Sequence, residues 1–193
     1  SLIFIFLNMT CKELDIEGVY EITQTPFEDE RGWFARIYCE EEFQTFGLQI
    51  IWKQINESFT KNKGSFRGIH YQFGPYAEYK LIRCITGSVM DFGVDLRKNS
   101  PTLNRHVCVE LSQMNRKMLL LPPGVGHAFQ TLSDNTTLIY CHSNFYNKAF
   151  EGGVRFNDSK IQLYLPLEVS DISERDKNHP LLNEQFSGIT YEM

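Results

Sequence analysis

The sequence predicts an all-β domain, an antiparallel barrel or jelly roll of about ten strands with few short helices. Three observations predict it. Short apolar and aromatic segments of strand length are broken throughout by Gly, Pro, Asn and Asp. Within residues 89–97, Met90, Phe92, Val94 and Leu96 alternate with Val89, Asp91, Gly93 and Asp95, a period of two that sets an apolar face against a partly acidic one. The 193 residues include 15 Phe, 9 Tyr and 2 Trp, a profile suited to pleated surfaces and a lined pocket.

Taken in order, the expected strands are residues 19–25, 33–38, 50–58, 65–72, 79–86, 89–97, 106–111, 117–121, 128–131 and 137–145. Gly87-Ser88, between two of them, reads as a two-residue hairpin connection. Residues 39–45 form one short helix candidate, and 173–177 another with Ser173 as its N-cap. Asn157-Asp158 and the region of Pro166 mark the end of the barrel. No repeat, low-complexity stretch or linker interrupts the chain, so a single domain over 1–193 is expected.

The net charge is −5, and the 19 basic residues are scattered singly. That excludes nucleic acid as the main partner, because a phosphate backbone needs a basic surface, but leaves room for a small anionic ligand held by a few arginines. Cys11, Cys39, Cys84, Cys108 and Cys141 are odd in number, contain no CxxC pair and sit mostly in apolar runs. They read as small thiols in a reducing cytoplasm rather than as a disulfide framework or zinc site. The opening SLIFIFLNM has an apolar part shorter than a signal-peptide core, no basic start and no small-residue cleavage site. It is too short to span a bilayer, so no membrane partner is expected. Residues 1–8 read as an upstream extension before a natural start at Met9.

The strongest local signal for chemistry is Arg67-Gly68-Ile69-His70-Tyr71-Gln72. A lone strand histidine is more often structural than a base, but Arg67 and Gln72 are costly to bury without a partner or ligand. Strict alternation puts Arg67 opposite His70, so both can reach one pocket only if Gly68 marks a bulge or bend. A second signal is Pro122-Pro123-Gly124-Val125-Gly126-His127-Ala128-Phe129, which resembles the latter half of the cupin signature. Metal-binding cupins place a His-x-His pair earlier; here that position reads His70-Tyr71-Gln72. The fold is supported and the metal is not.

These stretches and their neighbours resemble the dTDP-4-dehydrorhamnose 3,5-epimerase family from Phe27 to about Leu182. The shared pieces are 29–34, 54–56, 67–72, 80–83, 91–97, 100–102, 123–129, Tyr140, Tyr146 and Asn157-Asp158. The resemblance implies a cupin-type jelly-roll homodimer with no cofactor and no metal, acting on a sugar-nucleotide substrate. It implies His70 as general base, Asp176 as its carboxylate partner and Tyr140 as proton donor on the opposite sugar face. Arg67, Lys80 and His127 match residues around the keto sugar, and Gln72 is expected among the substrate-binding residues; Arg31, Gln54 and Asn56 match residues toward the nucleotide, with Arg31 reaching in from the partner subunit. The residue matching Tyr146 is expected to influence whether one carbon or two is inverted.

Chemistry supports the roles separately. A C4 ketone acidifies the hydrogens on C3 and C5, imidazole is a base near neutral pKa, and a phenol is a suitable donor from the other side. Taken without the resemblance, Tyr140 reads equally as a core aromatic and Asp176 as a solvated carboxylate. His106, His142 and His179 read as structural or exposed, Asp95 as structural, and Asp91 as a second carboxylate near His70. Arg36 and Glu57-Ser58-Phe59 depart from the family pattern on the expected ligand side. The rival readings are a C3-only epimerase, a metal cupin using His70, Glu78 and His127, and a non-catalytic sugar-binding cupin.

Overall fold

The computed structural model describes residues 8–191. The extension expected over residues 1–8 therefore lies, apart from Asn8, outside the described residues. Two antiparallel sheets face each other. The six-stranded sheet runs β1(Met9–Glu13), β2(Tyr20–Gln24), β10(Lys117–Leu121), β7(Lys80–Thr86), β12(Thr136–His142), β5(Gln54–Thr60). The five-stranded sheet runs β13(Glu151–Gly153), β6(Phe66–Gln72), β11(Val125–Thr131), β8(Ser88–Asp95), β9(His106–Ser112). A separate hairpin joins β3(Phe27–Asp29) to β4(Gly32–Phe34); two short α-helices, α1(Glu40–Thr45) and α2(Glu174–Lys177), and a 3-10 turn over Lys148–Phe150 lie among the described residues. This is the expected jelly roll. Among the described residues no helix is long and apolar enough to cross a membrane.

Alternation divides the side chains into three packed layers. Leu119 and Leu121 of β10 and Ile82 and Cys84 of β7 point inward, meeting Val89, Val109, Leu111 and Phe129 from the other sheet. Met118, Leu120 and Leu81 point outward and are covered by Phe43 of α1 with Leu48 and Ile50. Phe66, Ile69, Phe92, Val94 and Ala128 form the outer face of the second sheet, under Val154, Ile161 and the chain beyond.

Two expectations are corrected, at Gly87-Ser88 and over residues 33–38. Gly87-Ser88 is not a hairpin: β7 and β8 lie in different sheets, so Gly87 (φ +78°) turns a corner between them. The alternation expected in β8 is present, with the acidic face turned inward. Asp91 and Asp95 are buried in the interior, while Phe92, Val94 and Leu96 lie under the C-terminal chain, so both faces are covered. The strand expected over 33–38 is only the arm Gly32–Phe34 of the exposed hairpin. β1, β3 and β13 were not foreseen; they are short, and their sequences alternate weakly. α2 starts as expected, with the Ser173 hydroxyl accepting from the Asp176 amide at 3.0 Å.

Candidate active site

Between the sheets lies a cavity of about 270 Å³ lined by Asn56, Glu57 and Ser58 of β5, Arg67 and His70 of β6, Lys80 of β7, His127 and Phe129 of β11, and Tyr140 and His142 of β12. An adjoining cavity of about 180 Å³ shares Asn56, His70, Lys80 and His142 and adds Gln54, Gln72, Glu78, Tyr146 and Glu151.

The bulge required to bring Arg67 and His70 together is present. Against β11, Arg67 stands opposite Phe129 and His70 opposite His127, so two residues of β6 face one of β11. Gly68 supplies the backbone: its φ is +134°, and a Cβ there would lie 2.4 Å from Ala128 Cβ. The bulge also turns the Gly68 N–H onto Asp176 Oδ2 at 3.1 Å, while His70 Nε2 meets Asp176 Oδ1 at 2.7 Å. With Nε2–H donated to the carboxylate, His70 Nδ1 is left as the basic nitrogen. Burial works to raise the Asp176 carboxyl, but the hydrogen bond and charge of His70, the Gly68 amide and His179 outweigh it and hold it below its ordinary value.

Tyr140 stands on the opposite sheet, its hydroxyl 2.8 Å from Ser58 Oγ and its ring against His127. Burial pushes the Tyr140 phenol well above its ordinary value, with the Ser58 hydrogen bond pulling the other way, so it is a protonated donor at neutral pH. Lys80 Nζ lies 3.4 Å from Glu78 Oε1, and His142 Nδ1 3.2 Å from Glu78 Oε2. His127 Nε2 is 2.8 Å from Asp91 Oδ1. Burial raises the Asp91 carboxyl, opposed by the His127 charge.

Several residues stand elsewhere than expected. Asp91 pairs with His127 instead of His70, because β11 lies between β8 and β6. Gln72 borders the smaller cavity, but its amide is consumed by loop backbone: Nε2 donates to Tyr76 O and Phe145 O, and Oε1 accepts from Asn147 N. It braces the loop that carries Tyr146 instead of presenting a free group to a ligand. Gln54 Oε1 accepts from Tyr146 N, and Tyr146 donates its hydroxyl to Glu151, which is ion-paired with Arg175. Arg31 lies outside both cavities, on the exposed β3–β4 hairpin and paired with Asp29. Arg36 turns away to Glu42, whereas Glu57 lines the larger cavity. Asp95 is structural, as expected, bound by Arg97, Ser100 and Thr102. The metal set His70, Glu78 and His127 is not assembled, since Glu78 serves Lys80 and His142 while His127 serves Asp91.

Sequence reasoning missed Ser58, Phe129, His142 and His179. Ser58 shares strand parity with Gln54 and Asn56, and His142 with Tyr140, so period two carried that signal. His179 stands three residues after Asp176, just past the C-cap of α2, and its ring returns to the same carboxylate.

Fold and cavity together define a cupin-type barrel whose interior holds a histidine–carboxylate pair across from a partly buried tyrosine, the equipment of an acid–base enzyme. The family model described as dTDP-4-dehydrorhamnose 3,5-epimerase matches residues 13–184. A dTDP-4-dehydrorhamnose 3,5-epimerase of Shigella flexneri is 40% identical over 171 residues, 88% of this chain and 94% of that one. A crystal structure of the Bacillus anthracis enzyme of that name, with TDP and PPi bound, superposes with a TM-score of 0.87 at 33% identity, covering 90% of this chain and 99% of that chain. A Legionella pneumophila 3,5-epimerase in complex with dTDP-4-keto-L-rhamnose matches with a TM-score of 0.87 at 28% identity, over 96% and 100% of the two chains. The chain belongs to the dTDP-4-dehydrorhamnose 3,5-epimerase family and is an isomerase.

Proposed function

We propose that the chain inverts C3 and C5 of dTDP-4-dehydro-6-deoxy-D-glucose to give dTDP-4-dehydro-L-rhamnose, with His70, Asp176 and Tyr140 as the acid–base set. The observation that carries this is that His70 and Tyr140 stand on facing sheets and line one cavity. A ring seated between them offers one face to a base and the other to an acid.

His70 Nδ1 takes the proton from the carbon beside the C4 ketone, and the electron pair left behind delocalises onto the ketone oxygen. Asp176 steadies the imidazolium so formed. Lys80 places positive charge at the developing enolate oxygen, with Arg67 on the same cavity wall. Tyr140 delivers its phenolic proton to the opposite face of the carbanionic carbon, inverting it. The tyrosinate left behind is disfavoured by burial and regains a proton through the Ser58 hydroxyl, while His70 loses its proton to solvent. The same cycle then runs at the second carbon. His127, held by Asp91, fills the wall beside Tyr140 and positions the sugar.

Gln54, Asn56 and Tyr146 flank the adjoining cavity on the nucleotide side. The working form is a homodimer in which Arg31 serves the other copy's site. Its place outside both cavities of its own chain supports this, as does the exposure of Phe27, Trp33 and Phe34 on the same hairpin. Five unpaired cysteines favour a reducing cytoplasm as its compartment.

The decisive experiment incubates the chain with the 4-keto sugar nucleotide in D2O without added metal and follows deuterium at both carbons. Wash-in at C3 and C5 is the expected result. Wash-in at C3 alone makes the enzyme a monoepimerase, and no wash-in, or wash-in abolished by a chelator, overturns the reading.

A further inference from the structure

Behind His70, on the side away from the sugar cavity, a third side chain converges on the Asp176 carboxylate. His179 Nε2 lies 3.4 Å from Asp176 Oδ1, and the His70 and His179 rings meet edge-on with centroids 5.5 Å apart. The ligand atoms of His70, Asp176 and His179 all lie within 4.8 Å of one another. His179 is firmly seated. Its ring lies in the space where a Cβ on Gly153 would stand, and its carbonyl accepts from Arg155 Nε at 3.0 Å. Nevertheless its Nε2 is buried with no hydrogen-bond partner, since the approach to Oδ1 is out of line and that oxygen already serves His70. A buried orphan nitrogen aimed at an occupied carboxylate needs an account.

We propose that His70, Asp176 and His179 form a binding site for a divalent transition ion of the zinc or cobalt type, and that the ion switches off the base. Two histidines and one carboxylate with open positions are a donor set such ions favour. Donors each about 2.1 Å from one tetrahedral ion stand about 3.4 Å apart, which the His179–Asp176 separation already matches. The 2.7 Å between His70 and Asp176 must widen, and His70, with 32% of its side chain exposed, has the room to swing. The neighbouring Arg175 cation is already paired with Glu151.

The consequence follows from the tautomer. An ion on His70 Nε2 displaces the proton shared with Asp176, and a neutral imidazole ligated at Nε2 carries its one proton on Nδ1. The nitrogen that takes the sugar proton in the proposed mechanism is then occupied. Neither Asp176 nor His179 lines the larger cavity, so the sugar still enters. Inhibition by the ion therefore lowers kcat and leaves KM unchanged.

The binding half of this inference stands apart from the proposed reaction, whereas the inhibitory half rests on it; the test keeps them separate. The full chain, carrying Cys108→Ser to remove its exposed thiol, is stripped of metal and titrated with CoCl2 and with ZnCl2 by calorimetry and visible absorption. His179→Phe fills the same slot with a ring that has no ligand atom, and His179→Ala guards against a packing artefact. Expected are one ion per chain, affinity reduced at least about 100-fold in both variants, and deuterium wash-in that falls in kcat alone on metal addition and returns with chelator. Equal binding with and without His179, or no binding, overturns the site. Binding through His179 that leaves turnover unchanged, or that raises KM alone, overturns the switch. A metal-free chain that binds the ion but never exchanges deuterium refutes the proposed reaction and leaves the site standing.

Discussion

Tyr140 packs against the apolar interior as an ordinary core aromatic would, yet its hydroxyl ends at Ser58 on the cavity wall. That single hydroxyl separates the acid from its bland alternative, and the separation is measurable. Tyr140→Phe keeps the packing and removes the donor, so deuterium still washes in wherever His70 works while net inversion falls by about 10²–10⁴. His70→Asn removes the base, and wash-in itself falls by a similar factor of about 10²–10⁴ with little change in melting temperature. If Tyr140→Phe inverted at the normal rate, the donor would have to be sought among the other cavity residues. At this scale the sequence was uneven. His70 and His127 stand out because they sit in motifs with glycine and proline around them, whereas Ser58 and His142 are single polar residues in strands and carry only their parity. Asp176 lies 106 positions from its partner, a distance no local pattern bridges; only the family resemblance pointed to it.

Elements set the geometry that residues then use. The bulge at Gly68 does three things at once: it returns Arg67 to the cavity, turns an amide onto Asp176 and lets β6 lie close to Ala128. Gly68→Ala therefore loses both stability, on the order of 3 kcal/mol, and most of the activity, which thermal melting and the wash-in assay read separately. The end of β8 makes a different kind of knot. Burial works to raise Asp95, but Arg97, Ser100, Thr102 and the Arg97 amide outweigh it and hold the carboxyl below its ordinary value. A carboxyl depressed in the fold adds stability above its unfolded value of about 3.9. That stability is lost as pH falls through the folded value. Asp95→Asn is accordingly less stable than the parent at neutral pH, and the gap between their melting temperatures closes as pH drops below about 4; a gap constant with pH would assign the cost to shape, not charge. The strands were legible because alternation and turn residues are local. The corner at Gly87 was not, since a two-residue turn between strands looks the same whether they pair or part into two sheets.

Over the whole molecule, the C-terminal chain is both roof and tool. It covers the outer face of the five-stranded sheet, which is why β8 reads as alternating yet is buried on both sides, and it delivers Asp176 to the site. The sequence offered no way to see that cover, because a segment without periodicity reads as loop whether it lies in solvent or across a sheet. One buried residue fastens it. Asp158 accepts from the amides of Lys160 at 2.8 Å, Ile161 at 3.3 Å and Leu182 at 2.7 Å, tying the two ends of the segment that includes α2. Removing its carboxylate leaves three amides without their acceptor, a loss of about 3 kcal/mol at the scale of unsatisfied buried groups. For a chain of this size that is a fall of about 6–12 °C in melting temperature. Because the same segment holds Asp176 against Gly68 and His70, Asp158→Ala lowers kcat at temperatures well below its own melting point. Asp158→Asn, which keeps one acceptor oxygen, recovers part of both. Melting and wash-in measured on the two variants decide the matter: a stability loss with unchanged kcat makes the covering chain a passive roof, and a joint loss with partial joint recovery makes it the element through which folding positions the base.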